Sequence, residues 1–388
     1  MKLGDYVKQI RGVSYKPTDL HNELNSDSVI LLRANNINDG KINFDDIVYI
    51  DKSKVKEEQY LKRGDILVCA SSGSKELVGK SAFINKDYDV TFGAFCKLIR
   101  PKDCIAEYLG HYFNSQIYKE KISSLALGAN INNIRNEHIN ELIVYLPNKA
   151  EQQNISILLD EVVDIIDKRK KQLEKLDELV KSRFIEMFGD PLIEDDRYPR
   201  MPLGSLAEVG SSKRIFEKEY VSEGIPFYRT KEIVELSKDN RITTELFITK
   251  ERYDEIRSEY GVPQKGDLLI SAVGTIGVIW IVDGKNDFYF KDGNLLRVSA
   301  TEKFVPEYLK HLLEALISAY KSEMSSGTAY AALTISALKE MMVYDVPHAE
   351  QNQFAAFVKQ VDKSKFEIKQ SLEKLELLKK ALMQKYFG

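Results

Sequence analysis

Two stretches of the chain carry an apolar residue at every seventh position, and they lie 199 residues apart. In the first, Leu159, Ile166, Leu173, Val180 and Met187 form the line. Ile155, Val162 and Leu176 form a companion line interrupted by Arg169 and Arg183. In the second, Phe354, Val361, Ile368, Leu375 and Leu382 form the line, and Val358, Leu372 and Tyr386 its companion, interrupted by Lys365 and Lys379. A heptad pattern held over five periods predicts a coiled-coil helix. At 1.5 Å per residue, about 37 residues make a rod of roughly 55 Å. Elsewhere, short β-branched and aromatic runs at 66–69, 92–99, 268–270 and 278–282 predict strands, and 107–125 and 307–324 predict helices. Such a mixture is α+β, with a sheet that supports exposed loops.

The helices belong to a repeat that spans the chain. Residues 151–189 align without gaps with 350–388, with 12 of 39 positions identical. Both copies open on Glu-Gln (Glu151-Gln152, Glu350-Gln351), contain Leu-Glu-Lys-Leu, and close on Phe-Gly (Phe188-Gly189, Phe387-Gly388). Upstream, Leu3-Gly4 matches Leu203-Gly204, and Arg33 matches Arg229. Gly64-Asp65-Ile66-Leu67 matches Gly266-Asp267-Leu268-Leu269, and Glu107-Tyr108-Leu109-x-His111 matches Glu307-Tyr308-Leu309-x-His311. A period of this length is a domain plus an arm, too long for a solenoid unit. The expected domains are 1–150, a first variable domain; 151–190, a central helical arm; 191–349, a second variable domain; and 350–388, a C-terminal arm. Residues 151–190 carry seven basic and ten acidic side chains, whereas 350–388 carry eight basic and five acidic. Opposite net charge favours pairing of the arms. Connectivity favours an antiparallel pair, with a globular domain at each end and an approximate two-fold axis between them. A bipartite ligand such as DNA suits that shape.

Bulk composition narrows the classes. The chain has 388 residues, 43% hydrophobic and 30% charged, as expected for a folded protein of two or more domains. No run of about 18 apolar residues predicts a membrane span, and the opening Met1-Lys2-Leu3-Gly4-Asp5 does not read as a signal peptide. Three cysteines, Cys69, Cys96 and Cys104, lack metal-site spacing and suggest a reducing cytoplasm. A net charge of −3 excludes an all-basic surface but leaves room for local positive faces. No metal site is expected, because no histidine stands at ligand spacing to Cys or another His. The stretch Gly73-x5-Gly79-Lys80-Ser81 has one residue too many for a phosphate-binding loop and runs into a strand-like segment. No catalytic constellation is expected either: the Asn/Asp-Pro-Pro-aromatic motif of adenine methyltransferases is missing.

The ordered double occurrence of Leu-Gly, Gly-Asp-hydrophobic, Pro-x-x-x-Glu-Gln or Pro-x-x-Glu-Gln (Pro147 to Gln152, Pro347 to Gln351), Leu-Glu-Lys-Leu and Phe-Gly resembles the specificity subunit of type I restriction–modification enzymes. The resemblance implies two target-recognition domains, each reading half of a split double-stranded DNA target. It implies helical arms that set the unread spacer and dock two methyltransferase (modification) subunits, with restriction–translocation subunits joining that core. It also implies no cofactor on this chain: S-adenosylmethionine, ATP and Mg would sit on the partners.

Loops of the variable domains become the candidate readers. In the first domain these are Arg33, Asn35 and Asn36; Ser71, Ser72, Ser74 and Lys75; and Asn130, Asn132, Asn133 and Arg135. In the second they are Arg229, Thr230 and Lys231; Ser271 and Thr275; and Thr328 and Tyr330. Lys16, Lys213 and Arg214, in the N-terminal loops, are phosphate candidates. Arg forks onto guanine, Asn onto adenine, and hydroxyls bond phosphate oxygens. The loops differ between repeats, so two unlike half-sites are expected. Two other readings remain at this point: the recognition part of a single-chain restriction–modification enzyme, and a coiled-coil scaffold with no nucleic-acid role.

Overall fold

The computed structural model describes residues 1–21, 23–74, 76–127, 133–193, 197–239, 242, 244–299, 302–324 and 332–388. The chain divides into two units, Met1–Lys170 with Lys369–Gly388, and Lys171–Ile368. Each unit is α+β and holds one variable domain together with part of both long helices.

The first domain is built on two four-stranded sheets. One runs in the order Val7–Arg11, Cys96–Pro101, Ile66–Cys69, Ser81–Phe83, all antiparallel. The other runs Leu20–His21, Val48–Asp51, Ser28–Leu32, Val90–Phe92, with the last pair parallel. The second domain repeats the scheme. Its first sheet is Val209–Gly210, Leu295–Val298, Leu268–Ser271, Ile279–Ile281. Its second is Phe247–Ile248, Ile225–Tyr228, Tyr289–Phe290, again ending in a parallel pair. The order of connections therefore survives where sequence identity does not.

The recurrent motifs are explained by what they hold. Gly64 (φ +89°) and Gly266 (φ +92°) occupy the left-handed region that glycine tolerates best. The next residue closes the turn: Asp65 accepts the Lys62 N–H at 2.8 Å, and Asp267 accepts the Gln264 N–H at 2.9 Å. The glutamines at the arm starts are buried and bonded at both ends of the amide. Gln152 accepts from the Ile105 N–H (2.9 Å) and donates to the Pro147 carbonyl (2.7 Å). Gln351 accepts from the Val305 N–H (2.8 Å) and donates to the Lys303 and Val346 carbonyls. A buried amide with partners on both ends ties each arm to the helix start of its own domain.

The long helices are Lys149–Phe188 and His348–Phe387, 40 residues each. Within each unit they run antiparallel. In the second unit Phe184 meets Phe354 (centroids 5.3 Å apart) while Lys365 reaches Asp177 (2.5 Å). In the first, Lys170 pairs with Glu376 at 3.5 Å, and Ile155 and Leu159 share a core with Met383 and Phe387. The heptad line is buried at Leu159, Ile166 and Val180, but the buried face then moves to Phe184 and Phe188 and leaves Met187 half-buried. That shift turns the two phenylalanines onto Tyr308 of the second domain. The Phe-Gly ending is thereby accounted for twice, because Phe387 packs edge-on against Tyr108 at 5.0 Å as Phe188 packs against Tyr308 at 4.9 Å.

Two predicted elements differ. The helix expected over 107–125 is two, Ala106–Phe113 and Gln116–Leu127, because Ser115 Oγ accepts the Tyr118 N–H and starts a new helix. The strand expected over 92–99 is interrupted at residues 93–95, which form a loop. Cys69 and Cys96 are buried free thiols. No helix among the described residues is long and apolar enough to cross a membrane.

Candidate nucleic-acid interface

In both units the candidate loops converge on one short connection that the sequence did not single out. In the first unit Gly93 donates to the Leu32 carbonyl (2.9 Å), immediately before Arg33, and Ala94 donates to Val13 O (2.9 Å), in the loop that carries Lys16. The Phe95 carbonyl accepts two N–H groups, from Ala70 (2.9 Å) and Ser71 (3.0 Å). Ser71 in turn bridges Asn133, and Ile134 donates to Ala70 O at 2.6 Å. The second unit repeats this with residues 291–294. Lys291 donates to Tyr228 O (2.9 Å), Gly293 to Ser211 Oγ (3.2 Å), Ala272 to Asn294 O (2.9 Å) and Leu333 to Ala272 O (2.9 Å). Four loops, distant in sequence, thus meet beside one sheet in each unit. The Asp292-Gly293 pair, with Gly293 at φ +69°, was the available turn signal.

The predicted residues fare differently within these loops. Lys16, Asn35, Ser74, Asn133, Arg135, Lys213, Arg214, Lys231 and Thr275 are exposed, and Ser71 and Ser72 are half-buried. Lys75, Asn130, Asn132, Thr328 and Tyr330 lie outside the described residues. Asn36 leaves the candidate set: it is fully buried, accepts the Arg33 N–H (2.9 Å) and donates to Asp45 O (2.7 Å). Ser271 leaves it too, being fully buried with its hydroxyl on Thr275 O and the Val278 N–H. Thr230 and Lys231 begin the helix Thr230–Asp239 rather than standing in a loop. Buried Lys97 fixes the end of the third loop by donating to Asn136 Oδ1 (2.6 Å), and burial pulls its ammonium pKa down to about 8.

The sequence matches the family described as the type I restriction modification DNA specificity domain, twice, over residues 1–178 and 197–379. The chain belongs to that family. This specificity chain is 41% identical over 173 residues to the type I restriction enzyme StySPI specificity subunit of Salmonella potsdam, and 40% identical over 173 residues to the EcoKI specificity subunit of Escherichia coli K12. Each match takes in 44% of this chain and spans only 37% of the relative's length. Its fold resembles, along the whole chain, the S subunit of a type I restriction–modification system from M. genitalium (TM-score 0.57, 16% identity, 95% of that chain). It likewise resembles a chain from a study of assembly and conformational transition in the type I R-M system (TM-score 0.56, 17% identity, 98% of that chain). Membership gives it two DNA specificity domains of the type I restriction–modification kind.

The candidate arginines Arg33 and Arg229 are both held by carboxylates, in different ways. Arg33 donates to Asp46 Oδ2 (2.9 Å) and to Asp46 O (2.8 Å), and that carboxylate is 76% exposed. Arg229 grips Glu232 Oε1 at 2.9 Å, and Glu232 is fully buried and also accepts the Arg229 N–H (2.8 Å). The Glu232 carboxylate holds the Arg229 guanidinium above its ordinary pKa. Arg33→Ala is therefore expected to cost about 1 kcal/mol of stability or less. Arg229→Ala strands a buried carboxylate and is expected to cost about 2 kcal/mol. Urea melts of the two variants check this, and equal midpoints would contradict it. Of these two arginines, Arg33 is the one whose contact can be removed with the fold left nearly undisturbed.

Proposed function

We propose that this chain is the sequence-reading subunit of a type I restriction–modification complex, in which each variable domain reads one half of a bipartite, asymmetric double-stranded DNA target. The observation that carries the reading is the same four-loop convergence in both units, dressed with different side chains in each. Arg33, Ser71, Asn133 and Phe95 stand in one set where Arg229, Val273, Ala332 and Asn294 stand in the other. One scaffold with two chemistries suits two unlike half-sites. Exposed hydroxyls, amides and basic groups at the loops suit phosphate and base-edge contact.

The arms set the unread gap between the half-sites in this proposal, and they have a second role as a docking surface. Ile157, Ile165, Leu179, Ile185, Phe366, Leu377 and Leu378 are large apolar side chains left exposed on them. Such surface is what a partner subunit covers. Two methyltransferase subunits dock there, and restriction–translocation subunits complete the assembly in the cytoplasm. S-adenosylmethionine, ATP and Mg are bound by those partners, and this chain contributes specificity alone.

The test is to express the chain with its methyltransferase partner in a host lacking adenine methylation and to map N6-methyladenine across the genome. The proposal expects one motif made of two different half-sites around an unread gap. A single uninterrupted motif, a palindrome, or no new methylation would refute it.

A further inference from the structure

We propose that Phe95 is a specificity-determining residue of the first domain, packing against the 5-methyl group of a thymine in the half-site that domain reads. The inference rests on the DNA-reading role proposed above. Phe95 is 62% exposed although it lies in a connection whose flanking residues Phe92 and Cys96 are buried. Its backbone is fixed: the carbonyl accepts two N–H groups from the second loop, and Gly93 and Ala94 hold the N-terminal and first loops. The ring therefore projects from the point at which all four loops of the domain meet.

Around it the loops present polar groups, the exposed or half-buried Ser71, Ser72 and Asn133. An apolar ring at the centre of a polar surface has no use in gripping phosphate. Among base edges, the apolar group is the thymine methyl, and phenylalanine is one of the side chains suited to it. The second domain differs at this place. The residue whose carbonyl accepts from Ala272, as Phe95 accepts from Ala70, is Asn294. An amide there offers hydrogen bonds where the first domain offers only a hydrophobic contact, so the two centres favour different bases.

The experiment uses the full chain assembled with its methyltransferase and short duplexes carrying the mapped target. Each thymine is replaced in turn by uracil, which removes only the methyl group. The wild-type complex is expected to lose about fivefold in affinity at one thymine of one half-site. Phe95→Ala is expected to show that loss on the unmodified duplex and to ignore the same uracil, while Phe95→Leu keeps part of the discrimination. Asn294→Ala leaves this thymine effect unchanged. The inference is overturned if Phe95→Ala binds the target as wild type does, if it weakens target and scrambled duplexes equally, or if it impairs assembly with the methyltransferase instead. A wild-type complex that does not prefer its target to a scrambled duplex would remove the DNA-reading proposal itself.

Discussion

Phe188→Ala is expected to cost the second unit about 3–5 kcal/mol of stability, a loss typical of a truncated aromatic in a packed core. Phe188 is fully buried at the end of the first arm. Its ring lies 5.0 Å from Phe184, 4.9 Å from Tyr308 and 5.6 Å from Phe354, and so touches both arms and the domain at once. Those pairs are edge-on, an arrangement that favours aromatic rings beyond the area they bury. No small movement of one element can fill the space left by the ring, because three elements line it. Urea unfolding followed by far-ultraviolet circular dichroism is the check. Leu377→Ala, at a position 67% exposed, serves as the contrast and is expected to stay within about 0.5 kcal/mol of wild type. Equal midpoints for the two variants would show that the Phe-Gly endings do not anchor the arms.

The parts of the fold that could be read in the sequence are those whose pattern is long or doubled. The arms declared themselves because a heptad repeat sums weak preferences over five periods, and the helices observed begin and end within two residues of the arms expected. The motifs Gly64-Asp65, Gln152 and Phe188 recur at Gly266-Asp267, Gln351 and Phe387 because each copy performs the same local task. Repetition marked those residues in the sequence, and their contacts supply the reason.

The candidate interface was legible only as a set of loops. Short-range hydrogen bonds decided which residues stay available, and those depend on conformation. Asn36 looked like an adenine reader, yet it caps Arg33 three residues back. Glu232 does the same for Arg229, so Arg-x-x-Asn and Arg-x-x-Glu are one turn written two ways. That spacing was present in the sequence, but the Asn36 amide suits a base edge as well as a turn, and Glu232 is one of many exposed-looking acidic residues. The central connection at 93–95 was hidden for another reason. Its residues continue an apolar run, and periodicity alone cannot separate one long strand from two strands joined by a tight loop. The break between Phe113 and Gln116 escaped for the same reason, since Ser115 serves as a cap only once the chain has turned.

In the function proposed above, the paired arms set the gap between the two half-sites. That role is tested most directly by lengthening the arms. One heptad inserted beside Lys170 in the first arm, matched by one beside Glu376 in the second, preserves the seam in which those two residues pair at 3.5 Å. Seven residues add about 10.5 Å of helix, equivalent to about three base pairs of duplex. The measurement is the genomic N6-methyladenine map of the lengthened chain expressed with its methyltransferase. Both half-sites are expected to be unchanged and the gap between them wider by about three base pairs. Active methylation with the original gap, or with altered half-sites, would contradict that role.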